Sequence, residues 1–138
     1  MKKTITVILF IVLMLSVCYL TRTQKINLQR QSLKPKQVVE NYFKYWDEKN
    51  SKGMLSCLTE KYDKHNIDWE FGNLKSVNLI SIVEESNTGI EAIYKVEFEL
   101  KNKKDEVSSM DSGKWTWTFV VIRNDKNSPW LIDNYGEG

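Results

Sequence analysis

Residues 90–101 read IEAIYKVEFELK, and this stretch decides the fold. Ile90, Ala92, Tyr94, Val96, Phe98 and Leu100 fall on one parity; Glu91, Ile93, Lys95, Glu97, Glu99 and Lys101 fall on the other. Successive side chains of a strand point to opposite faces, so this alternation predicts a strand with one buried and one mostly solvated face. A helix would scatter the same apolar residues around its circumference. Such a strand needs neighbours on its edges and a second layer over its apolar face.

Working outward toward the C-terminus, residues 102–113 are charged and rich in small residues, the composition of a long exposed turn. Residues 114–123, KWTWTFVVIR, repeat the alternation, with Trp115, Trp117, Phe119 and Val121 on one face and Thr116, Thr118, Val120 and Ile122 on the other. The sequence DKNSP at 125–129 is a tight reversal, and a final strand starts at Trp130 and ends near Gly136. Alternation from Trp130 inward places Ile132 inward and Asp133 outward.

Working the other way, residues 74–84 hold Val77, Leu79, Ile80, Ile82 and Val83, a β-rich run closed by the turn-forming residues 85–89. Upstream the period changes. Val39, Tyr42, Phe43 and Trp46 follow the i, i+3, i+4, i+7 spacing of one helix face, behind a Pro35 that fits a first turn. A second short helix is predicted over roughly residues 52–62, with Met54, Leu55 and Leu58 on one face and Cys57 bordering it. Between helices and strands, Trp69 and Phe71 are expected to pin a mixed connection to the core. The pattern is α+β: N-terminal helices packed on a curved, mainly antiparallel sheet.

The chain begins with Lys2 and Lys3 and an apolar run over residues 5–20, long for a signal-peptide core and slightly short for a membrane span. Lys2 and Lys3 favour a cytoplasmic N-terminus, although Arg22, Lys25 and Arg30 weaken the asymmetry. The expected organisation is a membrane anchor or signal segment at 1–20, a polar tether at 21–33 and a folded domain at 34–138. Partnership with the membrane through residues 1–20 leaves the domain extracytoplasmic, or secreted if the leader is cut. Three fates stay open: an uncleaved anchor, cleavage at an atypical site, and lipidation at Cys18 in the sequence LSVC, where Val17 stands in place of a small residue.

Charge and residue counts exclude several function classes. Twenty Lys+Arg against 18 Asp+Glu give +2; without Lys2 and Lys3 the two balance, so a nucleic-acid partner is not expected. One His and two Cys argue against an imidazole-rich metal site or a disulfide framework, and no cofactor motif is present. With Cys18 in the leader, Cys57 is the one cysteine of the folded part, which cannot form an internal disulfide, and it reads as a buried, inert thiol.

The pattern Pro35-x-x-Val38-Val39-x-x-Tyr42-Phe43-x-x-Trp46 resembles the first helices of nuclear-transport-factor-2-like (NTF2-like) domains, which share a cystatin-like cone. The ending Gly113-Lys114-Trp115-x-Trp117-x-Phe119-Val120-Val121, followed by Ser128-Pro129-Trp130-Leu131-Ile132-Asp133-Asn134-Tyr135-Gly136, is similar to an uncharacterised family of secreted or membrane-attached domains of this type in Gram-positive Firmicutes. The resemblance covers roughly residues 33–138. It implies a sheet wrapped around helices to leave a conical pocket, and a homodimer formed through the sheet. Fold relatives of this kind include isomerases, dehydratases and non-catalytic binders, so fold does not settle activity.

Tyr42, Tyr45, Trp46, Tyr94, Trp115 and Trp117 are the residues expected to line such a pocket, or to fill a small core. His65, Asp68 and Asp133 are the polar candidates if chemistry occurs there, and none belongs to a recognisable catalytic set. The expected function is non-catalytic binding of a small ligand, peptide or protein at the cell surface. The alternative is a small isomerase- or dehydratase-like enzyme using the cone pocket.

Overall fold

The structure, a computed structural model, describes residues 1–62 and 67–138. It divides into two compact units, residues 1–32 and residues 33–138. The first unit is one helix, α1 (Lys2–Ser32), which continues without a break through the polar stretch expected to serve as a tether. At 1.5 Å per residue its 31 residues span about 46 Å, more than the roughly 30 Å of a hydrocarbon core. It is long and apolar enough to cross a membrane.

The second unit opens with α2 (Pro35–Asp47). Pro35 sits in its first turn, and the Gln37 Oε1 accepts the Lys34 N–H at 2.8 Å, satisfying one of the donors a helix start leaves free. Val38, Val39, Tyr42, Phe43 and Trp46 form its buried face. The helix stops where Lys49 turns into the left-handed region at φ 55°, its N–H donating to the Trp46 carbonyl. Asn50 then caps α3 (Ser51–Ser56), accepting the Gly53 N–H at 2.9 Å. This second helix ends six residues before the expected Tyr62. The chain there leaves the helix to pair with the last strand: Leu58 bridges Ile132 in parallel, and the Ile132 N–H donates to the Cys57 carbonyl at 2.7 Å.

Four strands follow: β1 (Leu74–Asn87), β2 (Glu91–Asn102), β3 (Gly113–Ile122) and β4 (Leu131–Glu137). They lie in the order β1-β2-β3-β4, every neighbouring pair antiparallel. The α+β class and antiparallel pairing stand as the sequence implies. The NTF2-like, cystatin-like cone does not. β1 and β4 are the outer strands and do not pair with each other, so the sheet is an open four-stranded meander and neither closes nor wraps around the helices. The cause lies in the connections: each hairpin lays a strand beside its predecessor, and no crossover returns a later strand to β1.

The alternation of β2 fixes the facing. Ala92, Tyr94, Val96, Phe98 and Leu100 are all buried, opposite Val121, Phe119, Trp117, Trp115 and Gly113 of β3. Ile90, expected on the same inward set, is instead 53 % exposed. It lies in the turn before β2, where Gly89 (φ 91°) donates its N–H to Asn87 Oδ1, so the strand's phase does not reach it. The buried face of α2 covers the sheet through rings: Phe43 lies 5.0 Å from Phe98 and 5.5 Å from Phe119 between centroids, and Tyr42 lies 5.8 Å from Phe119. Each such side chain taken fully out of water stabilises the fold by about 2–3 kcal/mol. Asp47 adds a polar clamp, its Oδ1 accepting the Val77 N–H of the β1 edge at 2.9 Å.

Candidate functional site

A cavity of about 170 Å³ lies where α2 ends over the start of β1 and the end of β2. Its wall is aromatic and aliphatic: Tyr42 and Trp46 from α2, Trp117 from β3, Tyr135 from β4, Trp69 from the connection, and Leu74, Leu100, Ile67 and Met110 between them. Antiparallel pairing brings the sheet contributions together, since Leu74 of β1 and Leu100 of β2 lie at one end of the sheet, as do Trp117 and its β4 partner Glu137, two residues past Tyr135.

Two irregular segments, residues 67–73 and 103–112, complete the wall, and hydrogen bonds between sequence-distant groups hold them together. The Glu70 carboxylate accepts both the Ser109 N–H (2.9 Å) and the Ser109 hydroxyl (2.8 Å). Asn73 donates through Nδ2 to the Lys104 carbonyl (2.8 Å) and Ser108 Oγ (2.7 Å), and its Oδ1 accepts the Lys104 N–H (3.0 Å). Asn102 Nδ2 donates to the Met110 carbonyl at 2.7 Å. Glu70 adopts φ 52°, a left-handed conformation that costs a non-glycine residue roughly 1 kcal/mol or more and that the Ser109 clamp holds in place. Asp68 is exposed, and its Oδ1 accepts the Glu70 N–H at 2.8 Å, shaping the turn.

The polar groups of the wall are thus taken up in joining two loops. The indoles are the exception. Trp46 and Trp117 stack with centroids 5.8 Å apart and planes 25° apart, and the buried Nε1–H of each has no hydrogen-bond partner among the described residues. Burial pushes the Tyr42 phenol well above its ordinary value, the neighbouring Tyr135 adds to the rise, and the Trp69 side chain opposes it. The wall therefore presents aromatic rings beside the hydrogen-bonded carboxylates of Asp68 and Glu70.

The structure scatters the residues singled out from the sequence. It brings Tyr42, Trp46, Trp117 and Asp68 to the cavity. Tyr45 lies against Gly53 of α3; the Tyr94 hydroxyl donates to Glu84 Oε2 at 2.8 Å; the half-exposed Trp115 donates its indole N–H to the Asp111 carbonyl at 3.0 Å. Burial, with the Glu84 bond second, holds the Tyr94 phenol above its usual range. Asp133 stands apart from the cavity wall. Its carboxylate accepts Lys61 Nζ at 2.9 Å and the Thr59 hydroxyl at 3.0 Å, while the Tyr62 hydroxyl donates to its carbonyl at 3.1 Å. The Lys61 bond, assisted by Thr59, holds the Asp133 carboxyl below its ordinary value. His65 lies outside the described residues. Cys57 is buried, and Cys18 is exposed on α1. Among the described residues no three His, Cys, Asp or Glu side chains gather to hold a metal.

Sequence reading missed Glu70, Ser109, Met110, Leu74, Leu100 and Tyr135 as parts of this wall. Alternation from Ile132 would send Tyr135 outward; the bulge at Asp133 returns it to the inward face, where it stacks on Phe119 at 5.6 Å and 17°. A family profile described as a domain of unknown function (DUF4829) matches residues 36–92 and 90–136, from α2 to β4. No curated protein matches the sequence.

Proposed function

The chain belongs to the DUF4829 family, and on that premise we propose that it is a non-catalytic binding domain displayed at the outer face of a bacterial membrane, holding a small ligand or the end of a peptide in its cavity. One observation carries this reading: a cavity of about 170 Å³ walled by five aromatic side chains. Concave, mostly apolar sites with a few fixed polar groups are where proteins seat small molecules. Acid–base chemistry requires a titratable group free to exchange a proton with what is bound. Here the Glu70 carboxylate is held by Ser109, Asp68 Oδ1 accepts the Glu70 N–H, and Asp133 is engaged by Lys61 and Thr59 away from the wall. The apolar length of α1 supports attachment to a membrane, and Lys2 and Lys3 ahead of residues 5–20 support an outward-facing domain.

A fragment screen against the full chain in detergent micelles tests the proposal, with Met110→Trp as the blocked control. Binding by the unaltered chain that disappears on filling the cavity from its Met110 side is the expected result. Fragments that bind both proteins alike, or neither, count against a binding role for this cavity.

A further inference from the structure

We infer that Arg22, Lys25 and Arg30 form a docking surface for anionic phospholipid headgroups, in the leaflet on the side of the folded domain. The inference rests on the membrane attachment proposed above and adds the class of lipid. Its starting point is where the charges fall along the chain. Residues 1–39 carry seven Lys+Arg and no Asp or Glu, and the first acid is Glu40. Residues 40–138 carry 13 Lys+Arg against all 18 Asp+Glu, a net of −5. A chain near neutral as a whole is thus divided into a basic leader and an acidic remainder, an asymmetry that marks the leader as the part attracted to an anionic surface.

The helix α1 sets these residues at the membrane boundary. Its apolar run over residues 5–20 rises about 24 Å, short of the roughly 30 Å of a hydrocarbon core. The turn that follows therefore falls at headgroup level, and it holds Arg22 and Lys25. Tyr19, 72 % exposed, stands one turn earlier and is of the residue type that favours that interface. Arg22 and Lys25 are three apart on one helix, so they share a face from which their stems can lie along acyl chains and carry the charge to the phosphates. The hydroxyls of Thr21 and Thr23 donate back to the Cys18 and Tyr19 carbonyls at 3.0 Å, so their polarity is satisfied within the helix. An anionic leaflet attracts basic side chains through a surface potential that fades over about 8–10 Å. Arg22 and Lys25 lie inside that range, and the exposed Arg30, about 12 Å further along the axis than Arg22, lies at its edge. The acidic remainder of the chain gains nothing from the same potential, which confines the contact to this segment.

The test is to reconstitute the full chain in phosphatidylcholine vesicles in which about one lipid in five is phosphatidylglycerol. Discs are then cut out with styrene–maleic acid copolymer and the lipids they retain are counted. Phosphatidylglycerol is expected to be enriched about twofold or more over the bulk at low salt, and to fall toward the bulk value at about 0.5 M salt. The triple variant Arg22→Gln, Lys25→Gln, Arg30→Gln should lose most of the enrichment. Lys2→Gln with Lys3→Gln, at the other end of the apolar run, should keep most of it. Enrichment that is absent, indifferent to the triple variant, or removed by the Lys2 and Lys3 changes alone overturns the inference. So does its loss to inorganic phosphate at matched ionic strength, which would mark a site for the free ion. Flotation with the vesicles but without enrichment sinks the lipid inference and leaves membrane attachment standing; failure to float at all sinks both.

Discussion

The carboxylate of Glu70 accepts the backbone N–H and the hydroxyl of Ser109, a residue 39 positions further along the chain. This contact joins the two irregular segments that wall the cavity, and it holds Glu70 at a left-handed φ of 52°. Glu70→Ala is expected to destabilise the fold by about 1–2 kcal/mol, from the loss of charge-assisted hydrogen bonds with the backbone strain left in place. Glu70→Gly, which removes the strain as well as the clamp, is expected to cost less. Urea unfolding of the two variants gives the comparison, and amide exchange at Ser109 should accelerate in both.

The Asp133 latch makes stability depend on acid. Its folded pKa lies below the unfolded carboxyl value of about 3.9, so its contribution is present above that value and is lost as pH falls through the folded one. Both partners are partly solvated, with 51 % of the Lys61 side chain and 30 % of the Asp133 side chain exposed. Screening limits the pair to about 0.5–1 kcal/mol. Lys61→Met is expected to lower the melting temperature slightly at pH 7 and to flatten its fall between pH 5 and 3. An unchanged acid limb would show that Thr59 alone holds the carboxylate.

The alkaline side runs in the opposite direction. Burial pushes the Tyr62 phenol up to about 12, with Tyr135 and Asp133 adding to the rise. A raised folded pKa contributes stability that is complete below the unfolded value near 10 and is lost as pH climbs toward 12. Tyr62→Phe should therefore unfold less readily than the unaltered chain as pH rises through that window, as followed by circular dichroism.

Two glycines make a matched pair. A Cβ placed on Gly53 would lie 2.5 Å from Cγ of the Tyr45 ring, whereas one on Gly72 would meet nothing within 4 Å. Gly53→Ala gains helix propensity of about 1 kcal/mol but forces the ring at its root, so a net loss of about 1–2 kcal/mol is expected. Gly72→Ala restricts only the unfolded chain and should stabilise by about 0.4–1 kcal/mol. Differential scanning calorimetry of both variants checks the opposite signs.

Local periodicity made the layers legible. The parity of residues 92–100 and the spacing of Val39, Tyr42, Phe43 and Trp46 each bury one face, and the structure buries those faces against each other. What the sequence could not show was closure. Alternation says which way a side chain points but not whether β4 reaches back to β1, and the cone failed on that point. The cavity was half legible for a similar reason. Tyr42, Trp46 and Trp117 carry a period, but Glu70, Ser109 and Met110 sit in irregular segments placed by hydrogen bonds 8 to 39 residues long in sequence. No local pattern encodes such pairings. Ile90 shows the same limit at small scale, where a turn interrupts a parity that the letters continue.

Binding in the cavity is read most directly from the five indole N–H resonances of the full chain, labelled with ¹⁵N in micelles, while the fragments of the cavity screen are added. The Trp46 and Trp117 signals are expected to shift as a fragment enters the cavity that these residues line. The Trp115 signal, already bonded to the Asp111 carbonyl at 3.0 Å, should stay in place. A titration in which Trp46 and Trp117 remain still, or in which Trp115 moves in their stead, would contradict it.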